Sequence, residues 1–257
     1  MTLVPAFRVD ELAVRVFAND EELGAAAAAD AADAIRAAVE RSGQANVMLA
    51  TGNSQFTFLD ALTARVDVPW DRVTGFHMDE YVGMDDGHPA SFARYMRERV
   101  VDVVHPAAFH YVDGTNDAAI ECVRYAELLR AHPLDLCCLG VGENGHLAFN
   151  DPPFADFDDA FDVKEVDLDD VSRRQQVGEG HFPSLDDVPR SAITVTIPAV
   201  LRAPRVLAIV PEARKAEAVR RALEEPIATS CPASVLRRAP HATLYLDRES
   251  AANISNA

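Results

Sequence analysis

Residues Leu134–Pro153 read LDLCCLGVGENGHLAFNDPP. An apolar run, short enough for a buried strand, leads straight into Gly140, Gly142 and Gly145 in the spacing G-x-G-x-x-G. In a dinucleotide cradle these glycines open a helix whose N-terminus meets the pyrophosphate. Here Pro152 and Pro153 follow within eight residues of Gly145 and leave little room for a helix. Nor does a clear second strand end in an acidic ribose ligand about 20 residues on. A catalytic loop explains the stretch better. The glycines permit close backbone approach and positive φ. They would project His146 into a cleft, and Asp151 could return to orient the imidazole. A capped turn with a surface histidine is the plain alternative.

Working outward, apolar strands alternate with helices. Strands are expected at Leu12–Ala18, Asn46–Thr51, Val73–Asp79, Phe109–Gly114, Leu134–Gly140, Ala192–Ile197, Arg205–Val210 and Ala242–Asp247. Helices are expected at Glu21–Arg41, capped by Asp20 and stopped by Gly43, and at Gln55–Arg65, Ser91–Val101, Asp117–Arg130 and Ala213–Glu224, with a short one near Ser234. The pattern predicts an α/β fold with a mostly parallel sheet covered by helices on both faces. One domain is expected over residues 1–257. Residues 154–187, irregular and acidic, read as a lid or insertion over the site, or as a solvated loop.

The chain has 257 residues, 49% of them hydrophobic, enough for a sizeable core. Its 24 basic and 41 acidic residues give a net charge of −17, the wrong sign for a nucleic-acid surface. No apolar run is long enough to span a membrane, and the N-terminus has no signal-peptide pattern. Cys122, Cys137, Cys138 and Cys231 form no C-x-x-C or metal spacing, as fits a reducing cytoplasm. No metal site is expected. A homo-oligomer is compatible with the sequence.

In such folds ligands bind beyond the carboxyl ends of the strands. Three further strand ends carry chemistry. Thr51, Gly52, Asn53 and Ser54 form a turn between strand and helix, suited to a phosphate or simply a serine-capped turn. Asp79 and Glu80 follow an apolar strand directly. A shielded carboxylate there can serve as a base, and a helix cap is the alternative. Lys215, one of only two lysines, lies near a helix start and could reach a phosphate.

Together, ATGNSQ, FHMDEYVG, LGVGENGHLAFNDP, AITVTIPAVLRA, ARKAEAV and CPASVLRRAPHATLYLD resemble the glucosamine-6-phosphate deaminases (isomerases), relatives of 6-phosphogluconolactonase, over nearly the whole chain. The resemblance implies a three-layer Rossmann-like fold and conversion of glucosamine 6-phosphate and water to fructose 6-phosphate and ammonia, without cofactor. It implies that Asp79 moves a proton between C2 and C1. His146 would assist ring opening with Asp151 behind it, and Thr51, Gly52, Asn53, Ser54 and Lys215 would hold the phosphate. The chain departs from the family in three places. Asn144 stands where some members have aspartate, and Asp151 where many have glutamate. SRRQQVGEGHF (Ser172–Phe182) replaces an Asn-Ser-Arg segment whose arginine binds phosphate, and Arg174 is the expected substitute, with Arg173 and His181 as further candidates. A lactonase-type hydrolase and a non-catalytic sugar-phosphate sensor are the rival readings. The run Ala148–Asp151 and the presence of both Asp79 and His146 weigh against them.

Overall fold

The computed structural model describes residues 6–255. The first five residues, part of the stretch read above for a leader, lie outside the described residues.

Eleven strands are described: β1 (Ala6–Val9), β2 (Leu12–Phe17), β3 (Ala45–Leu49), β4 (Val73–His77), β5 (Asp79–Tyr81), β6 (Ala108–His110), β7 (Leu136–Leu139), β8 (Val163–Asp167), β9 (Ser191–Val195), β10 (Val206–Val210) and β11 (Ala242–Asp247). Eight form one sheet in the order β1-β2-β11-β10-β7-β3-β4-β6. Its pairs are parallel except for the β1–β2 hairpin at one edge.

The sheet is apolar on both faces because helices cover both. Along β10, Val206, Ala208 and Val210 join the core on one side, and Leu207 and Ile209 join the core on the other. Leu136 to Leu139 in β7 alternate the same way. This two-sided burial produces the unbroken apolar runs of the sequence. The alanine-rich helix Asp20–Ser42 lies on one face, where its small side chains allow close approach. Its N-cap is Asn19 rather than Asp20: the Asn19 side chain accepts from Glu22 N at 2.9 Å. Gly43 closes the helix at φ +79°, as expected.

The sequence pattern did not disclose a second sheet. β5, β9 and β8 form an antiparallel unit in the order β5-β9-β8. The expected strand over Val73–Asp79 therefore breaks at Met78: β4 belongs to the large sheet and β5 to the small one. The strand expected at Ala192–Ile197 is β9, in the small sheet, and β8 arises inside the irregular segment.

β3 leads outward to β4 and β6 on one side of the large sheet. β7 returns between β3 and β10, and β10 and β11 continue to the other side. The switch between β3 and β7 opens a crevice at their carboxyl ends, the position where open α/β sheets bind ligands. No described helix is long and apolar enough to cross a membrane.

Candidate active site

The crevice is lined by Thr51, Gly52 and Ser54 after β3, by Asp79 after β4, by Gly140, Gly142 and His146 after β7, and by Lys215 after β10. No helix follows the glycines of β7. The chain runs through turns to β8, and the next helix starts only at Asp170. Gly142 has a steric role instead. A Cβ there would sit 2.1 Å from the His146 ring, so the imidazole packs directly over bare backbone. Gly145 adopts φ +90°, and its Cβ would meet Cys231 Sγ at 2.7 Å.

His146 is held from behind. Its Nδ1 lies 2.9 Å from Asp151 Oδ1 and 3.0 Å from Ser172 Oγ. Ser172 Oγ also donates to Asp151 Oδ1, and Asn144 Nδ2 donates to the same oxygen at 2.9 Å. Asn144 Oδ1 accepts from His146 N at 2.9 Å, so this amide clamps both ends of the loop. Burial pushes the fully buried Asp151 carboxyl up, but the adjoining His146 and the donors His146, Asn144 and Ser172 outweigh it and hold the group below its usual range. With Nδ1 engaged by Asp151, Nε2 is the nitrogen left to the cleft.

The two consecutive acids separate because successive side chains of a strand face opposite ways. Glu80 points back into protein. It accepts from Tyr81 N (3.0 Å), Ser91 Oγ (2.7 Å) and Ala93 N (2.9 Å), securing the start of the helix Phe92–Met96. Asp79 faces the cleft, 6% exposed, with Oδ1 lacking a partner among the described residues. Burial, with a smaller push from Glu80, raises its carboxyl to about 8.

The small sheet ties Asp79 and the His146 loop to one strand. Asp79 pairs in register with Thr194 of β9. Thr194 Oγ1 accepts from Phe149 N at 3.0 Å, and Asn150 Nδ2 donates to Val195 O at 2.9 Å. Both the Asp79 strand and the His146–Asp151 loop are thus fastened to one strand, β9.

At the other end, Gly52 turns at φ +101° and its carbonyl accepts from Tyr95 Oη at 2.9 Å. Gln55 Nε2 donates to Ser54 Oγ (3.1 Å) and to Ile209 O (3.2 Å), tying the turn to β10. Lys215 is 2% exposed, has no ion pair within 4 Å among the described residues, and lines the cleft. Burial depresses its ammonium, partly offset by Glu179.

The structure relocates two of the expected phosphate ligands. Asn53 is on the rim, its Nδ2 3.4 Å from Glu179 O, outside the lining. Arg174 does not reach the cleft: its side chain is 65% exposed and lies 3.6 Å from Asp170. Arg173 is turned inward to Leu185 O (2.6 Å) and Val188 O (3.2 Å), and His181 sits on Glu179 at 3.3 Å. Helical geometry is the reason. On the helix Asp170–Gly178, Ser172 and Gln176 share the face toward the cleft, and Arg174 projects away from it. Gln175, Gln176 and Glu179 line the cleft, and sequence reasoning missed all three. Their spacing of three, four and seven residues from Ser172, one helical face, was the available signal. Glu179 pairs with Arg214 at 2.8 Å. Burial raises its carboxyl, but His181, Arg214, Gln175 and Lys215 prevail and hold it at about 2. No group of three or more metal-ligating side chains gathers among the described residues.

A family profile described as glucosamine-6-phosphate isomerases/6-phosphogluconolactonase matches residues 18–245. The chain is 37% identical over 227 residues to glucosamine-6-phosphate deaminase of Pseudarthrobacter chlorophenolicus, covering 86% of each chain. It is 34% identical over 248 residues to the corresponding protein of an Arthrobacter species, covering 94% of this chain and 92% of that one. Among solved structures it resembles a monomeric glucosamine-6-phosphate deaminase, with TM-score 0.85, 31% identity, and coverage of 93% of this chain and 99% of that one. A 6-phosphogluconolactonase from Shewanella baltica shares the fold, with TM-score 0.74, 18% identity, and coverage of 94% and 99%.

Proposed function

The chain belongs to the glucosamine-6-phosphate isomerase/6-phosphogluconolactonase family, and from that premise we propose that it is the deaminating isomerase. It converts glucosamine 6-phosphate, or a close amino sugar phosphate, and water to the ketose 6-phosphate and ammonia. The observation that carries this reading is Asp79, a buried carboxylate raised to about 8 with a free oxygen in the cleft beside His146.

His146 Nε2 takes the proton of the anomeric hydroxyl and returns it to the ring oxygen. This opens the ring and frees the aldehyde that acidifies C2. Asp79 removes the C2 proton, giving an enolamine, and delivers it to C1. One proton of the substrate ammonium ends on O1, leaving an iminium at C2. Water adds there and ammonia departs. General acid–base assistance of this kind is worth about 10² to 10⁴-fold. None of these steps requires a metal or a nucleotide. Lys215 and the turn Thr51–Ser54 hold the phosphate at the far end. The placement of Gln175, Gln176 and Glu179 supports reading residues 154–187 as cover for the cleft within a single catalytic domain.

The test is ammonia release from glucosamine 6-phosphate and galactosamine 6-phosphate, with Asp79→Asn as control. Release from one of them, lost in the control, is expected. A folded protein that binds sugar phosphates yet releases no ammonia would refute the reading and redirect attention to lactone hydrolysis.

Ser172 acts through His146 and Asp151. Ser172→Ala is expected to lower kcat about tenfold, the low end of what a hydrogen bond to a charged group contributes, with KM changed less than twofold. Ser172→Thr should restore most of the loss. An unchanged kcat in the alanine variant would remove Ser172 from the relay.

A further inference from the structure

One side chain in the cleft is used by none of these steps. Gln176 is 7% exposed and lines the crevice, and its Oε1 has no hydrogen-bond partner among the described residues. A buried amide oxygen left unpaired costs about 1–3 kcal/mol. Such a group calls for a partner that the fold itself does not supply, and here it lies against the cleft.

Its neighbours on the same helix are already engaged. Ser172 is committed to Asp151 and His146. Gln175 donates to Glu179 Oε1 at 2.8 Å and accepts from Glu143 N at 3.2 Å. Glu179 is paired with Arg214 and His181. Of the residues that this segment turns to the cleft, Gln176 retains the open acceptor.

Its position selects which part of the substrate it meets. Ser172, one helical turn earlier, marks the reacting end through His146. Glu179, later in the same segment, stands at the end where Lys215 and the Thr51–Ser54 turn are. Gln176 lies between the two, about 6 Å along the helix from Ser172. A six-carbon sugar phosphate anchored at C1–C2 and at its phosphate presents its C3 and C4 hydroxyls there. A side-chain amide both accepts and donates, so it registers the direction of a hydroxyl as well as its presence.

We infer that Gln176 is a specificity-determining residue, hydrogen-bonding the C3–C4 hydroxyl edge of the substrate and setting which C4 epimer is processed. The inference rests on the deaminase reading. The two fail separately, because a wild type that releases no ammonia refutes the reading whatever Gln176 does.

The experiment compares wild type, Gln176→Ala and Gln176→Asn on glucosamine 6-phosphate and galactosamine 6-phosphate, which differ at C4. In Gln176→Ala, kcat/KM for the preferred epimer should fall about tenfold per lost hydrogen bond. The other epimer should lose less, so the preference narrows. Gln176→Asn keeps the amide one methylene short and should fall between. A second arm needs no turnover: calorimetric binding of fructose 6-phosphate and tagatose 6-phosphate to Asp79→Asn, with and without Gln176→Ala. The added substitution should reduce the difference in affinity between these two C4 epimers. Unchanged kcat/KM and unchanged binding would overturn the inference while leaving the deaminase reading intact. An equal loss for both epimers would also overturn it, because Gln176 would then contribute binding without discrimination.

Discussion

Asp79→Asn is expected to abolish ammonia release, by about 10³-fold or more, and at the same time to stabilise the protein at alkaline pH. The loss follows from removing the group proposed to carry the proton between C2 and C1, for which general-base contributions of about 10² to 10⁴-fold are usual. The gain follows from the same burial. A free aspartate titrates near 3.9, whereas burial in the cleft wall raises Asp79 to about 8. The folded protein therefore holds this proton more tightly than the unfolded chain. The stability associated with it is fully present below about pH 4 and is lost as pH rises through 8. Asparagine carries no charge to desolvate. Its advantage should be absent near pH 4, grow between pH 4 and 8, and level off above that. Linkage sets an upper bound of about 5 kcal/mol, and a gain of at least about 2 kcal/mol, or roughly 5 °C for a protein of this size, is expected on the plateau. Melting curves of both proteins at pH 4, 6 and 9 measure it. Superimposable curves would mean that the carboxylate is solvated in the fold. In the wild type, kcat/KM should rise with pH to a plateau above about 8, as the base loses its proton. A profile flat from pH 6 to 9 would place the base elsewhere.

Lys215→Met should raise KM by about 10²-fold while leaving kcat within a few-fold. A charge-assisted hydrogen bond is worth about 1.5–3 kcal/mol, which accounts for most of that factor. Among the described residues Lys215 is the cation at the end of the cleft where we propose the phosphate sits, since Arg174 is out in solvent and Arg214 is paired with Glu179, Glu143 and Glu212. Methionine fills similar volume and removes a buried charge whose ammonium is already disfavoured by burial. The variant should therefore fold at least as stably as the parent. Initial rates against substrate concentration, with a melting curve, provide both quantities. An unchanged KM would show that the backbone of the Thr51–Ser54 turn binds the phosphate without the lysine.

Local chemistry made much of this legible in advance. Apolar runs of β3, β7 and β10, buried on both faces, announced a parallel sheet, and the rule of carboxyl-terminal strand ends selected Thr51, Gly52, Ser54, Asp79, His146 and Lys215. Prolines after Gly145 excluded a helix there, and Asp151 stood where an orienting acid was needed. These features depend on residues near one another in the chain.

The remaining features depend on residues far apart in the chain. Pairing of β5 with β9 split one apparent strand into two and turned Asp79, rather than Glu80, toward the cleft. Strand register sets which face a side chain takes, and the partner strand begins more than a hundred residues later. The same sheet brought β8 out of a segment that looked irregular, because its two buried residues, Val163 and Val166, are three apart and join different cores, which breaks the alternation of a half-buried strand. Helical phase sent Arg174 to solvent and delivered Ser172, Gln176 and Glu179 to the site, a choice fixed by where the helix Asp170–Gly178 docks. Local pattern was enough for the α/β class and the strand-end loops, because periodicity and turn chemistry are local. Which of the two adjacent acids faces the cleft, and which polar side chains of the helix Asp170–Gly178 line it, only nonlocal pairing and docking settled, because side-chain direction is set by the partner an element packs against.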